Sequence, residues 1–483
     1  MNDNIIISAI SKIQFILVSI FSFIFLTLFA LFILLQNGIY IDNISFQNVK
    51  VEKLYIKWDE KISVVAKELH FIKEKKSNDS KIEYEKIIKI INSTLPFTVW
   101  FKEIIIEKMS LNDTDCVIRY TNDKKGLLHI SSPDFILNSS LFSDNNLLTL
   151  KIDELKAIKK DVNIDGNISF DIKEKLKFTT TLNITIHNDT KLNLFAHGDA
   201  QKLSYKIESN ENIKNTRQIV DLFDVHPDVK YWIYDAIEMS SLSLNELYGW
   251  LEYENLDKAY LNLYAKAVAN DLKYTYDKKV DSVRTTKTDL EFKDGVLYIK
   301  PQNAYSYNFF LDKSWLKIDF SKKEELLSLY LLFKGKVNKE LLSLLERYEI
   351  KLPFIQNKGE VNTNLTLDIN LITLGVDAVG DFSAKEAQIN YLGLDIDIFD
   401  AHVFLNNYDV KVNNMVAKYS DIATSHVDLD FNAKESEGKL TFRFDNIDSK
   451  ENKLTLLKNK EPFVATYSIS PKQDYLTIDK SIW

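Results

Sequence analysis

The sequence predicts a mainly β protein: an N-terminal transmembrane helix, then a long antiparallel meander curled into an elongated open apolar groove, with a few short helices. Three observations carry that expectation. An uncharged apolar stretch lies close to the N-terminus. Beyond it, runs of about seven residues alternate apolar with polar positions between polar turns, the period of strands wet on one face and dry on the other. Helix-period stretches are few and short, too scarce to cover so many strands.

The apolar stretch is Ile13–Leu35, and no charged residue stands between Lys12 and Asp42. As a helix it rises ~35 Å at about 1.5 Å per residue, enough to cross a bilayer core. Gln14, Ser19, Ser22 and Thr27 can return their polar groups to the helix itself. A cleaved signal peptide has a shorter apolar core and a small-x-small site, which Leu34-Leu35-Gln36-Asn37-Gly38 does not offer. Residues 1–12 then form a short tail and 13–35 an uncleaved anchor. Lys12 upstream and Lys50, Lys53 and Lys57 downstream do not by themselves orient it.

Composition narrows the function classes. The 483 residues are 45% hydrophobic and 12% aromatic, so the chain is not a disordered tail. Only 12 glycines and 7 prolines serve a chain of strands and turns, so Asn and Asp must supply many of the turns. The net charge of −8 is spread evenly with no basic block, which excludes a phosphate-tracking nucleic-acid groove. The one cysteine, Cys116, excludes an internal disulfide framework and has no metal spacing around it.

Taken in order, Ile39–Ile72 reads as a pair of strands leaving the membrane. Ile82, Ile87, Ile88, Ile91 and Leu95 repeat at helical spacing and Pro96 stops them, which predicts a helix near 82–95 capping a sheet end. Strands follow at Phe101–Glu107 and Asp115–Tyr120. From about Leu147 the period of two persists: Leu182, Ile184 and Ile186 alternate with Thr181, Asn183, Thr185 and His187, and Leu192 and Leu194 continue the pattern. This first β-rich segment spans 39–210. A helical insertion is expected over 211–250, where Val229, Trp232, Ile233, Ala236 and Ile237 share one helix face and Pro227 opens the first turn.

The second β-rich segment, 251–483, resumes with Leu261, Leu263, Ala265 and Ala267 as one run. Leu290, Phe292 and Val296–Ile299 flank an Asp294-Gly295 hairpin turn. Leu326–Val337 is a strand, and Lys339–Tyr348 a short helix capped by Asn338. Val361, Leu365, Leu367, Ile369 and Leu371 give the cleanest alternation in the chain. Leu394, Ile396 and Ile398 repeat it, as do Val403 with Leu405, Val427 with Leu429 and Phe431, and Leu440 with Phe442 and Phe444. A new apolar run at Leu476 and Ile478 has only begun when Trp483 is reached, which reads as a piece of a longer protein.

No stretch carries a catalytic signature. The seven histidines (His70, His129, His187, His197, His226, His402, His426) are scattered, with no ligand spacing, and no metal or cofactor is expected. His197-Gly198-Asp199 and His226-Pro227-Asp228 read as turns. There is no nucleophile elbow, phosphate loop or dinucleotide fingerprint. Asp395 and Asp397 imitate a paired-carboxylate site, but Asp alternating with Leu or Ile is also the ordinary look of a half-solvated strand. The chain reads as a non-enzyme.

What is left to explain is the dry face. About 30 strands at ~4.8 Å would extend ~140 Å as one open sheet. Closed sandwiches, packed helices, or a trough lined by bound ligand could each bury its aliphatic stripe. The scarcity of helix, and the plain hairpin as repeating unit without Greek-key crossovers, favour the trough. Candidate lining residues are Leu182, Ile184, Ile186, Leu192, Leu194, Leu261, Leu263, Val361, Leu365, Leu367, Ile369, Leu394, Ile396, Val427, Leu429 and Phe442.

An anchor followed at once by strands and then a helix resembles the AsmA-like superfamily of bridge-like lipid transfer proteins. Pro227-Asp228-Val229 with Trp232-Ile233 and Ala236, then Gly249-Trp250-Leu251, is similar to that family's helix-into-strand entry. Leu326–Lys336, Leu341–Leu345, Leu352-Pro353 and Gly359 with Asn364-Leu365 and Leu367 resemble its later half, most nearly in the branch typified by YhdP, with TamB more distant. Met239-Ser240-Ser241-Leu242-Ser243 departs from the family's Gly-containing turn. The resemblance implies an inner-membrane anchor, a periplasmic body, and a groove conducting membrane phospholipids between the two membranes of a Gram-negative envelope. Two other classes stand beside it: a scaffold that assembles outer-membrane or other envelope proteins through an exposed strand edge, and a tethered rod of closed sandwiches.

Overall fold

Alternation becomes strand almost wherever it occurs. The computed structural model describes residues 22–46, 49–71, 100–111, 114–122, 125–144, 147–171, 177–222, 237–275, 281–311, 313–339, 342, 354–373, 375–391, 393–449, 454–456 and 463–479. The fold is mainly β, a mostly antiparallel meander with few helices. The chain divides into two units, Met1–Asn210 with Trp250–Leu256 and Glu211–Gly249 with Asp257–Trp483.

In the first unit residues 22–37 are helical. Gly38, at φ +91°, ends the helix and donates its N–H to the Leu35 carbonyl, the left-handed cap that glycine accepts without strain. The strands are β1 (Ile39–Phe46), β2 (Val49–Trp58), β3 (Ile62–Phe71), β4 (Phe101–Leu111), β5 (Thr114–Asn122), β6 (Gly126–Ser131), β7 (Phe135–Asp144), β8 (Leu147–Ala157), β9 (Val162–Asp171), β10 (Lys177–Ile186), β11 (Thr190–Gly198) and β12 (Lys202–Glu208). Each pairs antiparallel with the next, except that β3 and β4 run parallel.

The second unit contains β13 (Ile237–Glu238), β14 (Ser241–Glu252), β15 (Leu263–Tyr274), β16 (Val283–Lys293), β17 (Val296–Gln302), β18 (Tyr305–Ser306), β19 (Phe309–Phe310), β20 (Trp315–Asp319) and β21 (Leu326–Gly335). It goes on through β22 (Ile355–Gly359), β23 (Val361–Asn370), β24 (Val376–Tyr391), β25 (Leu394–Asn406), β26 (Asp409–Tyr419), β27 (Ala423–Asn432), β28 (Glu437–Ser449), β29 (Leu454–Leu456), β30 (Phe463–Ile469) and β31 (Tyr475–Ile478). Asn and Asp carry the turns: Asp294 (φ +53°) with Gly295 (φ +74°) closes the β16–β17 hairpin, and Asn407 (φ +52°) the β25–β26 one.

Many strands change phase in the middle. In β4, Ile106 pairs with Ile118 but Met109 pairs with Cys116, so three steps on one strand match two on its neighbour. Ile152 and Leu155 in β8, Leu244 and Leu247 in β14, and Val412 and Met415 in β26 do the same. Each is a β-bulge, and its extra residue returns the next apolar side chain to the same face while bending the strand. The slip can pass from strand to strand. Ile41–Leu54–Ala66–Ile106 and Ile44–Val51–Leu69–Met109 are successive cross-strand rows through β1–β4, with Lys53 of β2 between them at φ +52°. In β24 and β25 the paired slip lies between Ala384–Ala401 and Ala387–Ile398, beside Asp400 at φ +53°.

Several expectations are corrected. Ile39–Ile72 holds three strands, not a pair, because the second run breaks at Asp59-Glu60. The expected insertion over 211–250 is not helical throughout: Ser241–Glu252 is a strand because Leu242, Leu244 and Leu247 find in-register partners on β15. Ile237 pairs with Tyr274 in a strand and not on a helix face. Leu261 lies in a 3-10 segment, Tyr253–Asn262, just before the strand it was expected to open. The meander is not antiparallel throughout, β3–β4 being parallel; such a pair needs a crossover, and residues 72–99 connect these two strands. The helices expected near 82–95 and at 229–236 lie outside the described residues, as does Lys339–Tyr348 apart from residues 339 and 342, both helical. Of the expected anchor, 13–21 lies outside them too; among the described residues no helix is long and apolar enough to cross a membrane.

Candidate functional site

Residues paired across a ladder project from the same face, so register converts the alternation into surfaces. In the first unit one row can be followed through every strand from β1 to β12. It runs Ile39–Ile56–Val64–Ile104–Tyr120–Leu128, then Ser139–Ile152–Gly166–Leu182–Leu194–Ile207. Leu155–Ile164–Ile184–Leu192 and Ala157–Val162–Ile186–Thr190 lie beside it. The reverse face reads Lys151–Asn167–Thr181–Phe195–Lys206 and Lys156–Asn163–Thr185–Lys191. Over β8–β12 one surface is aliphatic and the other polar apart from Phe195, whereas in β1–β4 the reverse face also carries an apolar row, Tyr40–Tyr55–Val65–Ile105.

The second unit repeats the division. Leu244–Ala267–Leu290–Ile299–Leu316–Leu329–Leu367–Ala378 forms one apolar row. Phe333–Thr363–Phe382–Val403–Val412–Leu429–Leu440–Tyr467–Leu476 forms another. Leu365 lies between Leu331 and Gly380, Ile369 between Leu327 and Val376, and Met415–Val427–Phe442–Ala465–Ile478 runs beyond them. The reverse face carries ion pairs such as Arg443 with Asp428 and Lys411 with Asp430.

Burial decides what these surfaces can do. Most of the lining residues picked from sequence are half-buried. Ile186 and Val427 are sealed, at 1% and 2% exposure, whereas Leu394 is 45% exposed. Among the described residues, the largest side chains below 2% exposure are Ile186, Thr288 and Ser140, of which only the first is aliphatic. Core clusters do form in the second unit: Ala304, Phe309 and Leu311 in one place, and Ala384, Ile398 and Ala401 in another, the latter packed by Val361, Ala387, Ile389, Ile396 and Met415.

The apolar face is also electrically dry. Burial pushes the Tyr205 phenol up, and burial followed by the Asp115 charge pushes up the Cys116 thiol. Two buried hydroxyls bond to backbone: Ser139 Oγ donates to the Leu128 carbonyl in the first unit, and Thr285 Oγ1 to that of Gln302 in the second. Thr190 Oγ1 is buried without a partner.

The carboxylates and one of the two histidine turns singled out from the sequence lie among the described residues. Asp395 accepts from Asn357 and Asn390, and Asp397 from Gln388, so both carboxylates serve cross-strand bonding. His197 and Gly198 end β11 instead of standing in a turn, and the turn begins at Asp199, which accepts from the Gln201 and Lys202 amides. His226-Pro227-Asp228 lies outside the described residues. Among the described residues no group of three or more His, Cys, Asp or Glu side chains could hold a metal ion.

Of the lining residues picked from sequence, Leu182 with Leu194, Ile184 with Leu192 and Val427 with Phe442 are direct partners, and Leu429 lies two residues along the strand from Val427. Leu261 is set apart, its side chain lying against the Gly295 turn. Ile104, Ile106, Ile152, Leu155, Leu405 and Val410 belong to the same surfaces and were missed. For Ile106, Ile152 and Leu155 the signal is an apolar spacing of three inside a period of two, which marks a bulge rather than the end of a strand; Ile104, Leu405 and Val410 stand at the ordinary spacing of two. No protein family, curated protein or solved structure matches the chain.

Proposed function

We propose that the chain is a membrane-anchored periplasmic conduit that carries phospholipids between inner and outer membranes. The half-exposed aliphatic faces line an elongated open groove along which acyl chains travel. The observation that supports this most directly is the row from Ile39 to Ile207, one apolar position per strand broken at Ser139 and Gly166, and backed by a polar surface over β8–β12. Each CH₂ of an acyl chain exposed to water costs ~0.8 kcal/mol, so a continuous apolar surface lowers the barrier to crossing an aqueous gap. Head groups stay in water at the open side, and no acid, base or metal is required. Bulges every few strands curl the sheet without interrupting its dry face.

The test is photo-crosslinking in the full chain, with a benzophenone amino acid at Leu194 or Leu367 and controls at the adjacent Asn193 and Asp368. Phospholipid adducts at the first two and not at the controls are expected. Adducts at none of the four, with protein partners captured instead, would replace the conduit with an assembly scaffold.

A further inference from the structure

We infer that the membrane-proximal ends of β1–β4 form an aromatic rim that sits in the head-group layer of a bilayer. The inference rests on reading Ile13–Leu35 as a membrane anchor. The helix of residues 22–37 passes into β1 through Gly38 alone, so the start of that strand is held at the helix end. Register brings the other strand ends to the same level. Ile39 pairs with Ile56, Trp58 with Ile62, and Ile62 with Phe101, so Tyr40, Trp58 and Trp100 all lie at one edge of the first unit.

Those three side chains are exposed, at 63%, 39% and 61%. Trp58 also touches the helix, its ring edge-on to Phe32 with centroids 5.7 Å apart. In water alone these three rings leave their apolar faces solvated at the helix end. At a bilayer surface, however, Trp and Tyr place an apolar ring among glycerol and upper acyl groups while their N–H or O–H stays hydrated. The helix supplies the continuity: Phe23, Leu26 and Phe25 are exposed at 73%, 63% and 68% and call for hydrocarbon around them. Asp59 and Glu60, exposed at the β2–β3 turn, set a limit on depth, because carboxylates that enter the acyl region must be neutralised. The indoles can reach the interface and the turn cannot go further. The row beginning at Ile39 and Ile56 would then start at the membrane, where a lipid leaves the leaflet.

Tryptophan fluorescence of the full chain in phosphatidylcholine vesicles tests this, using lipids brominated either high or low on the acyl chain. The unaltered chain should contain a fraction quenched roughly twofold more by the high bromines than by the low ones. Replacing Trp58→Phe together with Trp100→Phe should remove that fraction, while Trp315→Phe leaves it. A separate variant, Phe25→Trp, reports on the anchor and should be quenched by the low bromines. If Phe25→Trp is quenched but the double replacement changes nothing, the rim is refuted and the anchor stands. If Phe25→Trp is not quenched either, anchor and rim fall together.

Discussion

The strands β9–β11 in the first unit and β24–β26 in the second are made of the same alternation and end in different states. In β9–β11 the period of two is unbroken, and Gly166–Leu182–Leu194 and Ile164–Ile184–Leu192 stand in register; the aliphatic side chains of these two rows stay half-exposed, while Val162 and Ile186 are buried at the turn end. In β24–β26 the phase slips and a buried corner of Ala384, Ile398 and Ala401 forms at that level. A straight strand gives each side chain only lateral neighbours, whereas a bent one folds its own face inward. Alanine at the bend is what that crowding permits. Open surface and closed core are therefore alternative outcomes of one pattern, chosen by where the bulges fall.

The largest effect is expected at Gly166, which pairs with Ile152 beside the β8 bulge. Its φ is +138° and an added Cβ would lie 2.2 Å from the Thr181 carbonyl oxygen, so Gly166→Ala must displace backbone. A loss of about 3 kcal/mol in local opening free energy is expected, read by hydrogen exchange of β9 and β10. Next comes the direct contrast between the two regions. Ile398→Ala should cost about 3 kcal/mol at the buried corner. Leu194→Ala should cost only about 1 kcal/mol, since that side chain is already half in water. Equal losses at the two sites would mean that β9–β11 is covered in solution, and the distinction drawn above would fail.

Most of the fold could be read from the sequence because side chains in a strand have a period of two and hairpin turns need residues that accept positive φ. The Asp294-Gly295 hairpin and the run from Val361 to Ile369 follow directly from that. Bulges were not foreseen, because an apolar spacing of three, as in Ile152 and Leu155, looks like a fragment of helix or the end of a strand. Leu242, Leu244 and Leu247 fell inside the expected helical stretch 211–250, whose signal came from Val229 to Ile237, and their spacing is that of a bulged strand. The parallel pairing of β3 and β4 has no local signature, since direction depends on the connection and not on either strand. For the candidate site, parity gave the face correctly wherever no bulge intervened. Exposure could not be read at all, because Ile186 at 1% and Leu394 at 45% sit in similar sequence.

The reverse faces differ as well, and here the expected effects are smaller. Arg443 donates to Asp428 and holds its carboxyl below the usual range, with the Asn414 amide adding to this. A depressed carboxyl contributes stability that is present above its unfolded pKa and is lost as pH falls through the folded one. Protection of β27 and β28 should therefore weaken on acidification below about pH 4. Asp428→Asn should flatten that dependence. With both side chains about a third exposed, the contribution is expected at about 0.5 kcal/mol or less.

The smallest effect separates two adjacent residues. Asn183 donates to Asp165 across the polar face at 2.7 Å, fully in solvent, where such a bond replaces one to water at little net gain. Asn183→Thr removes it but brings a β-branched side chain that suits an exposed strand position. A change within about 0.5 kcal/mol of zero is expected in the exchange of β10. Leu182→Thr, one residue earlier, swaps an aliphatic group for a hydroxyl in the row from Gly166 to Leu194, and should cost about 1 kcal/mol along with lipid crosslinking at Leu194. If Asn183→Thr instead abolished crosslinking while Leu182→Thr left it intact, the dry surface would not be the lipid-bearing one. The two faces of this region would then have to exchange roles.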